Sequence, residues 1–177
     1  MTDAREYARA LFLITEEDGV TDSVVADMTA LRAVFTENPD YVKLLDTPAL
    51  DKAERLCLAR SVAERLDWRL ANLLMILTEK HLTHLVVRMA GAYLDMVDEA
   101  RGILRADAIT AVALTEAQIK ALADKLGAQT GKTVVITNTV DESILGGVKL
   151  RYAGIQLDGS VKTKLEKFEE GLKTLVL

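Results

Sequence analysis

Near Asp107 the spacing of apolar residues shifts from about 3.6 to about 2, and no other feature restricts the fold of this chain as much. Before that point every long segment has the helical period. After it, short runs rich in Val, Ile and Thr stand between glycines. A one-sided helix and an alternating strand bury different faces, so the two halves cannot share one kind of layer. The pattern dictates an all-α N-terminal part followed by a small α+β module, α+β overall. The boundary lies near Arg101–Asp107, giving domains at residues 1–105 and 106–177.

The N-terminal part divides into successive helices. Residues 4–18 form the first, with Gly19 as its stop. Residues 22–36 form the next, with Val24, Met28, Leu31 and Phe35 at helical spacing. Asn38-Pro39 and Thr47-Pro48 interrupt the period, leaving a short turn around Tyr41–Leu45. Asp51 with Glu54 three residues later is a capping box, opening a helix to about Leu66. Trp68–Thr78 is apolar on nearly every side, as expected of a helix buried at the centre of a bundle. Leu82 to about Leu104 is long enough to cross the whole bundle.

In the C-terminal part Ala108–Leu114 reads as a strand, and Thr115 with Gln118 as a second capping box for a helix to about Leu126. Strands over Val134–Val140 and Val148–Leu150 flank Gly146-Gly147, a pair that permits a bulge or a close backbone approach. Ala153-Gly154 gives a hairpin signal. Ser160 of Asp158-Gly159-Ser160 caps a last helix bearing Val161, Leu165, Phe168, Leu172 and Leu175.

Charge and cysteine content exclude several functions. The net charge of −5 falls wholly within residues 1–105; residues 106–177 balance to zero. An acidic chain without a basic stripe is a poor partner for a phosphate backbone, so no nucleic acid is expected. Cys57 is the only cysteine, which rules out an internal disulfide, and its apolar neighbours Leu56 and Leu58 predict a buried thiol. Asp3, Arg5 and Glu6 interrupt any signal-peptide core, and Leu70–Leu77 is too short to span a bilayer. A soluble protein without direct membrane insertion is expected.

Two helices carry more apolar face than one packing contact consumes. In the first, Arg5, Glu6, Arg9, Glu16 and Glu17 share about a third of the circumference, and apolar residues fill the rest. The helix from Leu82 is similar, with His84, Arg88, Asp95, Asp98 and Glu99 on one side. Either both helices are deeply buried, or the small residues at the stripe edges, Ala8, Ala10, Ala90 and Ala92, form a groove for a partner's amphipathic helix.

Candidate chemistry is sparse. Gly127–Thr133 reads GAQTGKT, one residue short of a phosphate-binding loop, and it follows a helix where such a loop follows a strand. Glu79, His81 and His84 lack a further metal ligand at a recognised spacing. No nucleophile elbow occurs, and Cys57 has no recognisable histidine partner. Catalytic, cofactor-binding and metal-binding residues are therefore all expected to be none.

Three stretches carry a resemblance. Tyr7-Ala8-Arg9-Ala10-Leu11 stands near the N-terminus. Val140-Asp141-Glu142-Ser143-Ile144-Leu145-Gly146-Gly147-Val148 and Leu157-Asp158-Gly159-Ser160-Val161 stand near the other end. In this order and spacing they resemble the delta subunit of bacterial F-type ATP synthase and its mitochondrial relative, the oligomycin-sensitivity-conferring protein, over essentially the whole length. Where that family commonly has Arg-x-Arg-Leu, this chain has Lys162-Thr163-Lys164-Leu165.

The resemblance implies an N-terminal six-helix bundle on the catalytic head, binding the N-terminal helices of alpha subunits through its first and fifth helices. It implies a C-terminal domain that meets the C-terminal ends of the b subunits, at the cytoplasmic face of the bacterial cell membrane. The role implied is a non-catalytic stator that keeps the head from rotating with the central stalk, coupling proton or sodium transport to ATP synthesis. Carried onto this sequence, Tyr7, Ala10 and Leu11 fall on the alpha-binding face of the first helix. The helix from Leu82, with Ala90 and Ala92, is matched to the fifth. A helical adaptor of an unrelated assembly is the alternative.

Overall fold

A computed structural model describes residues 4–144, 146–152 and 155–158. The chain divides into two compact units, Met1–Val97 and Asp98–Leu177. The described residues hold seven α-helices and a four-stranded sheet, an α+β protein. The helix expected from Ser160, its capping Gly159-Ser160 and the Ala153-Gly154 hairpin signal lie outside the described residues.

Helix α1 spans Ala4–Glu17 and α2 spans Thr21–Glu37, both close to the periodic reading. The expected short turn is instead an eight-residue helix, α3, Pro39–Asp46. Pro39 breaks α2 but occupies the first turn of α3, where its fixed φ suits a helix and its missing N–H has no partner to lose. Helix α4, Lys52–Ala63, opens on the complete Asp51/Glu54 capping box. Helix α5 spans Trp68–Glu79, with the Asp67 side chain accepting from the Arg69 amide. The helix expected from Leu82 begins as a 3-10 turn, Thr83–Leu85, and continues as α6, Val86–Ala100.

One core serves these helices. Ala8, Leu11, Val24, Met28, Leu31, Phe35, Leu45, Leu70, Leu74, Leu77, Val86, Met89, Ala90 and Tyr93 are all buried in it. Thr15 and Tyr93 exchange a buried hydroxyl hydrogen bond of 2.9 Å, and Phe12 meets the Tyr93 ring edge-on at 6.4 Å. Together these lock α1 to α6. Two burial expectations fail. Cys57 is exposed, because α4 turns Arg55, Ala59 and Ala63 inward, and that phase puts residue 57 outside. Helix α5 is not buried all round: Trp68 is 61% and Ile76 45% exposed.

In the second unit, strand β1 covers Ile103–Thr110, five residues earlier than the expected Ala108–Leu114. Gly102, at φ 64, turns the chain directly from α6 into β1. Leu104, Ala106, Ala108 and Thr110 are buried in alternation, while Arg105 and Asp107 point outward. Helix α7, Glu116–Thr130, opens on the Thr115/Gln118 capping box and closes on Gly131 in the left-handed conformation. It crosses to β2, Thr133–Val140, which pairs in parallel with β1 (Ala106 opposite Ile136). Strand β3, Val148–Tyr152, pairs antiparallel with β1, and β4, Ile155–Asp158, pairs antiparallel with β3. The order β2-β1-β3-β4 leaves α7 over a core of Ala106, Ala108, Leu126 and Leu150. Gly146 and Gly147, at φ 154 and φ 90, form the approach to β3 in backbone that other residues rarely adopt.

Candidate functional site: an apolar groove between α1 and α5

Helix α1 buries one stripe, Ala4, Ala8, Leu11 and Thr15, in the core. Beside that stripe Ala10, Leu13 and Ile14 stay exposed and Tyr7 is half-buried, with buried Leu11 at the edge between. Tyr7, Ala10, Leu11 and Ile14 recur at intervals of three or four, so they share one face. Helix α5 buries Leu70, Leu74 and Leu77, and this phase leaves Trp68, Arg69, Asn72, Leu73 and Ile76 along its flank. The two flanks line an open groove of about 210 Å³. Small Ala10 keeps the α1 wall low, while Trp68 stands at the rim. Leu13 and Ile14, 54% and 46% exposed, continue the apolar surface outward.

Electrostatically the groove is quiet. Arg69 is the one charged residue in its described lining, and its charge is already paired. The guanidinium bonds Asp18 (Nε to Oδ2, 2.7 Å) and Asp67 (3.2 Å), and lies 4.6 Å from the Trp68 ring centre. The hydrogen bond that the guanidinium donates to Asp18, and then that to Asp67, tighten its hold on its proton. Arg69 thus ties the turn after α1 to the start of α5, and fixes the groove's width at that end. A surface of this kind suits an apolar helical face.

The sequence-derived candidates separate. Tyr7, Ala10 and Leu11 come together in the groove. Ala90 is fully buried in the core and Ala92 packs partly against it; neither lines the groove. Because α3 is a helix, the helix from Leu82 is the sixth and α5 is the fifth. The α5 wall was missed in the sequence: an all-round apolar helix signals burial, and only its neighbours reveal which side stays open. The helical spacing Trp68, Asn72, Leu73, Ile76 was the available signal.

The glycine-rich stretch and the histidines near the end of α5 take ordinary structural places. Gly127–Thr130 ends α7 and Thr133 starts β2, so this stretch meets a helix C-terminus with its carbonyls, not an N-terminus with its amides. Glu79 pairs with Lys52, His84 with Asp46, and His81 with Arg55. Among the described residues no three potential metal ligands converge. None of the described helices is long and apolar enough to cross a membrane. Two further clefts exist: one of about 370 Å³ between α2 and α4, and one of about 250 Å³ where α7 meets Val148.

Fold and groove together define a two-unit α+β protein with an apolar groove between two helices of its first unit. The sequence model of the ATP synthase delta (OSCP) subunit family matches residues 4–172. ATP synthase subunit delta of Geobacillus sp. (strain WCH70) is 36% identical, over 96% of each chain. The same subunit of Rhodospirillum rubrum is 33% identical, over 96% of this chain and 92% of its own. A chain in the cryo-EM structure of the Toxoplasma gondii mitochondrial ATP synthase hexamer has the same fold. Its TM-score is 0.76 at 22% identity, over 97% of this chain and 98% of that one. This chain belongs to the ATP synthase delta (OSCP) subunit family, a peripheral-stalk component of ATP synthase.

Proposed function

We propose that helices α1–α6 act as one six-helix bundle whose α1–α5 groove holds the amphipathic N-terminal helix of an alpha subunit. On this reading the second unit, residues 98–177, meets the C-terminal ends of the b subunits, and the protein sits peripherally at the cytoplasmic face of the membrane. It links the head to the stalk, stops the head turning with the central stalk, and so couples proton or sodium flow to ATP synthesis. It has no catalytic step of its own.

The groove is the observation that supports this most directly. A stator needs a grip that resists torque, and an apolar trough between two helices grips an amphipathic helix without chemistry. With α3 counted, the first and fifth helices are the two that line it. Ala90 and Ala92, on α6, have no part in this grip.

The test is titration of the whole chain with a synthetic N-terminal peptide of the alpha subunit, comparing wild type with Ala10→Asp. Ala10 is exposed, so the variant folds. A carboxylate in the apolar groove is expected to weaken binding by at least about tenfold, roughly 1.4 kcal/mol. Unchanged affinity would place the contact elsewhere.

A further inference from the structure

One short polar side chain interrupts the apolar walls of the groove. On α5, Trp68, Asn72 and Ile76 follow one another at intervals of four, so they form one column along the side that the groove leaves open. Trp68 is 61% and Ile76 45% exposed, and Asn72 between them is exposed as well. An amide thus stands in the middle of a strip of apolar surface. Nothing in the helix asks for it. Asparagine is a weaker helix former than leucine or alanine, because its side chain competes for backbone hydrogen bonds.

The Asn72 amide is also unused. It has no hydrogen-bond partner among the described residues, so it neither caps α5 nor ties it to a neighbour. The start of α5 is held by Asp67 instead, which accepts from the Arg69 amide (2.9 Å). The other polar groups in the lining have somewhere to go. Arg69 is satisfied by Asp18 and Asp67. Tyr7 and Trp68 each carry a single polar group on a large ring, which can reach water while the body of the ring is covered. Asparagine is too short for that.

Covering Asn72 therefore has a consequence. A helix that lies along the groove and covers both Trp68 and Ile76 must pass over the amide between them. The amide then leaves water, and a bond left unmade there weakens binding by about five- to a hundredfold. Facing an apolar side chain, Asn72 is a defect at the centre of the contact. Facing a side chain that can hydrogen-bond, it becomes the point at which register is read. A slip of one helical turn, about 5.4 Å, parts the pair and buries both members unpaired.

We propose that Asn72 sets the specificity of the groove: the helix held there carries one hydrogen-bonding side chain at the centre of an otherwise apolar face, and its bond to the Asn72 amide fixes the register in which it docks. The proposal rests on the groove being the partner site, and it adds what the partner's face must look like.

The sign of one substitution decides. Asn72→Leu keeps α5 intact, since the position is exposed and leucine favours a helix. Urea unfolding followed by the fluorescence of Trp68, the sole tryptophan, is expected to show the variant at least as stable as wild type. The full chain is titrated with the synthetic N-terminal peptide of the alpha subunit. If the peptide meets Asn72 with a hydrogen-bonding group, Asn72→Leu leaves that group buried and unpaired, and affinity falls about tenfold or more. If the peptide meets it with an apolar side chain, Asn72→Leu removes a defect and affinity rises. An unchanged or raised affinity overturns the proposal.

The peptide's half of the pair is located by replacing each of its polar residues in turn with leucine. One replacement is expected to weaken binding to wild type about tenfold and to recover most of the affinity that Asn72→Leu lost, a strongly non-additive pair. Additive losses at every position overturn the pairing. Ala10→Asp, on the opposite wall, separates this proposal from the reading beneath it. If Ala10→Asp weakens the peptide and Asn72→Leu does not, the groove is the partner site and Asn72 selects nothing. If neither substitution alters affinity, or wild type does not bind, the groove reading fails and the role of Asn72 falls with it.

Discussion

Asp46 shows how one side chain can hold a junction that no helix pattern specifies. It ends α3, and its carboxylate accepts from the Thr83 amide (2.8 Å), the Thr83 hydroxyl (2.6 Å), the His84 amide (3.0 Å) and the His84 ring (2.6 Å). Burial pushes its carboxyl up, but the hydrogen bonds from Thr83 and His84 together outweigh this and hold it below the ordinary carboxylate range. A carboxyl depressed on folding contributes stability that is present above its unfolded value, near pH 4, and is lost as pH falls through the lower folded value. Asp46→Asn is expected to cost about 1–2 kcal/mol near neutrality, the scale of lost charge-assisted bonds to a helix start. Urea unfolding followed by Trp68 fluorescence would measure it. The gap between variant and wild type should narrow as pH falls through the lowered folded value of Asp46, where its carboxyl takes up a proton. A gap that stays constant into acid would mean that the carboxylate's charge is not what matters.

At the scale of elements, what the sequence makes legible depends on whether the signal is local. Both capping boxes, Asp51/Glu54 and Thr115/Gln118, form as read, because every atom involved lies within one turn. Periodicity located α1 and α2 for a similar reason. It fails where tertiary packing sets the phase. Helix α4 is weakly one-sided, and the side it turns inward carries Arg55, which no hydropathy rule selects; Cys57 is exposed as a consequence. The start of β1 was hidden because Ile103 and Leu104 also suit the end of α6, and Gly102 decides between them. Half of the groove was readable on α1, where the excess apolar face is visible. The other half was not, because α5 is apolar all round and its open side depends on what packs elsewhere.

A locally encoded element should also respond locally. In the second capping box the Gln118 amide donates to the Thr115 hydroxyl oxygen (3.3 Å), and the Gln118 side-chain oxygen accepts from the Thr115 amide (2.9 Å). Thr115→Ala removes the first bond and loosens the second, at a cost of about 1 kcal/mol. Amide hydrogen exchange would register this as roughly five- to tenfold faster exchange in the first turn of α7. Unchanged exchange there would show that the sheet, and not the cap, holds the helix start.

At the scale of the whole molecule, the proposed stator must hold two grips in series, and the weaker one sets the torque at which the head slips. Such a protein is judged by affinity, which gives Ala10→Asp a second and sharper use. Membrane vesicles stripped of this chain are expected to keep ATP hydrolysis by the head and to lose ion-driven synthesis, because the groove supplies contact and no reacting group. Adding back wild type restores synthesis. Adding back Ala10→Asp at the same limiting concentration restores less, but raising its concentration about tenfold should recover the difference, since mass action offsets a tenfold weaker contact. Synthesis that stays low at every concentration would mean that the groove does more than bind. Synthesis restored equally well at limiting concentration would mean that α1 does not face the head, and the grip would have to be sought in one of the other clefts, between α2 and α4 or beside α7.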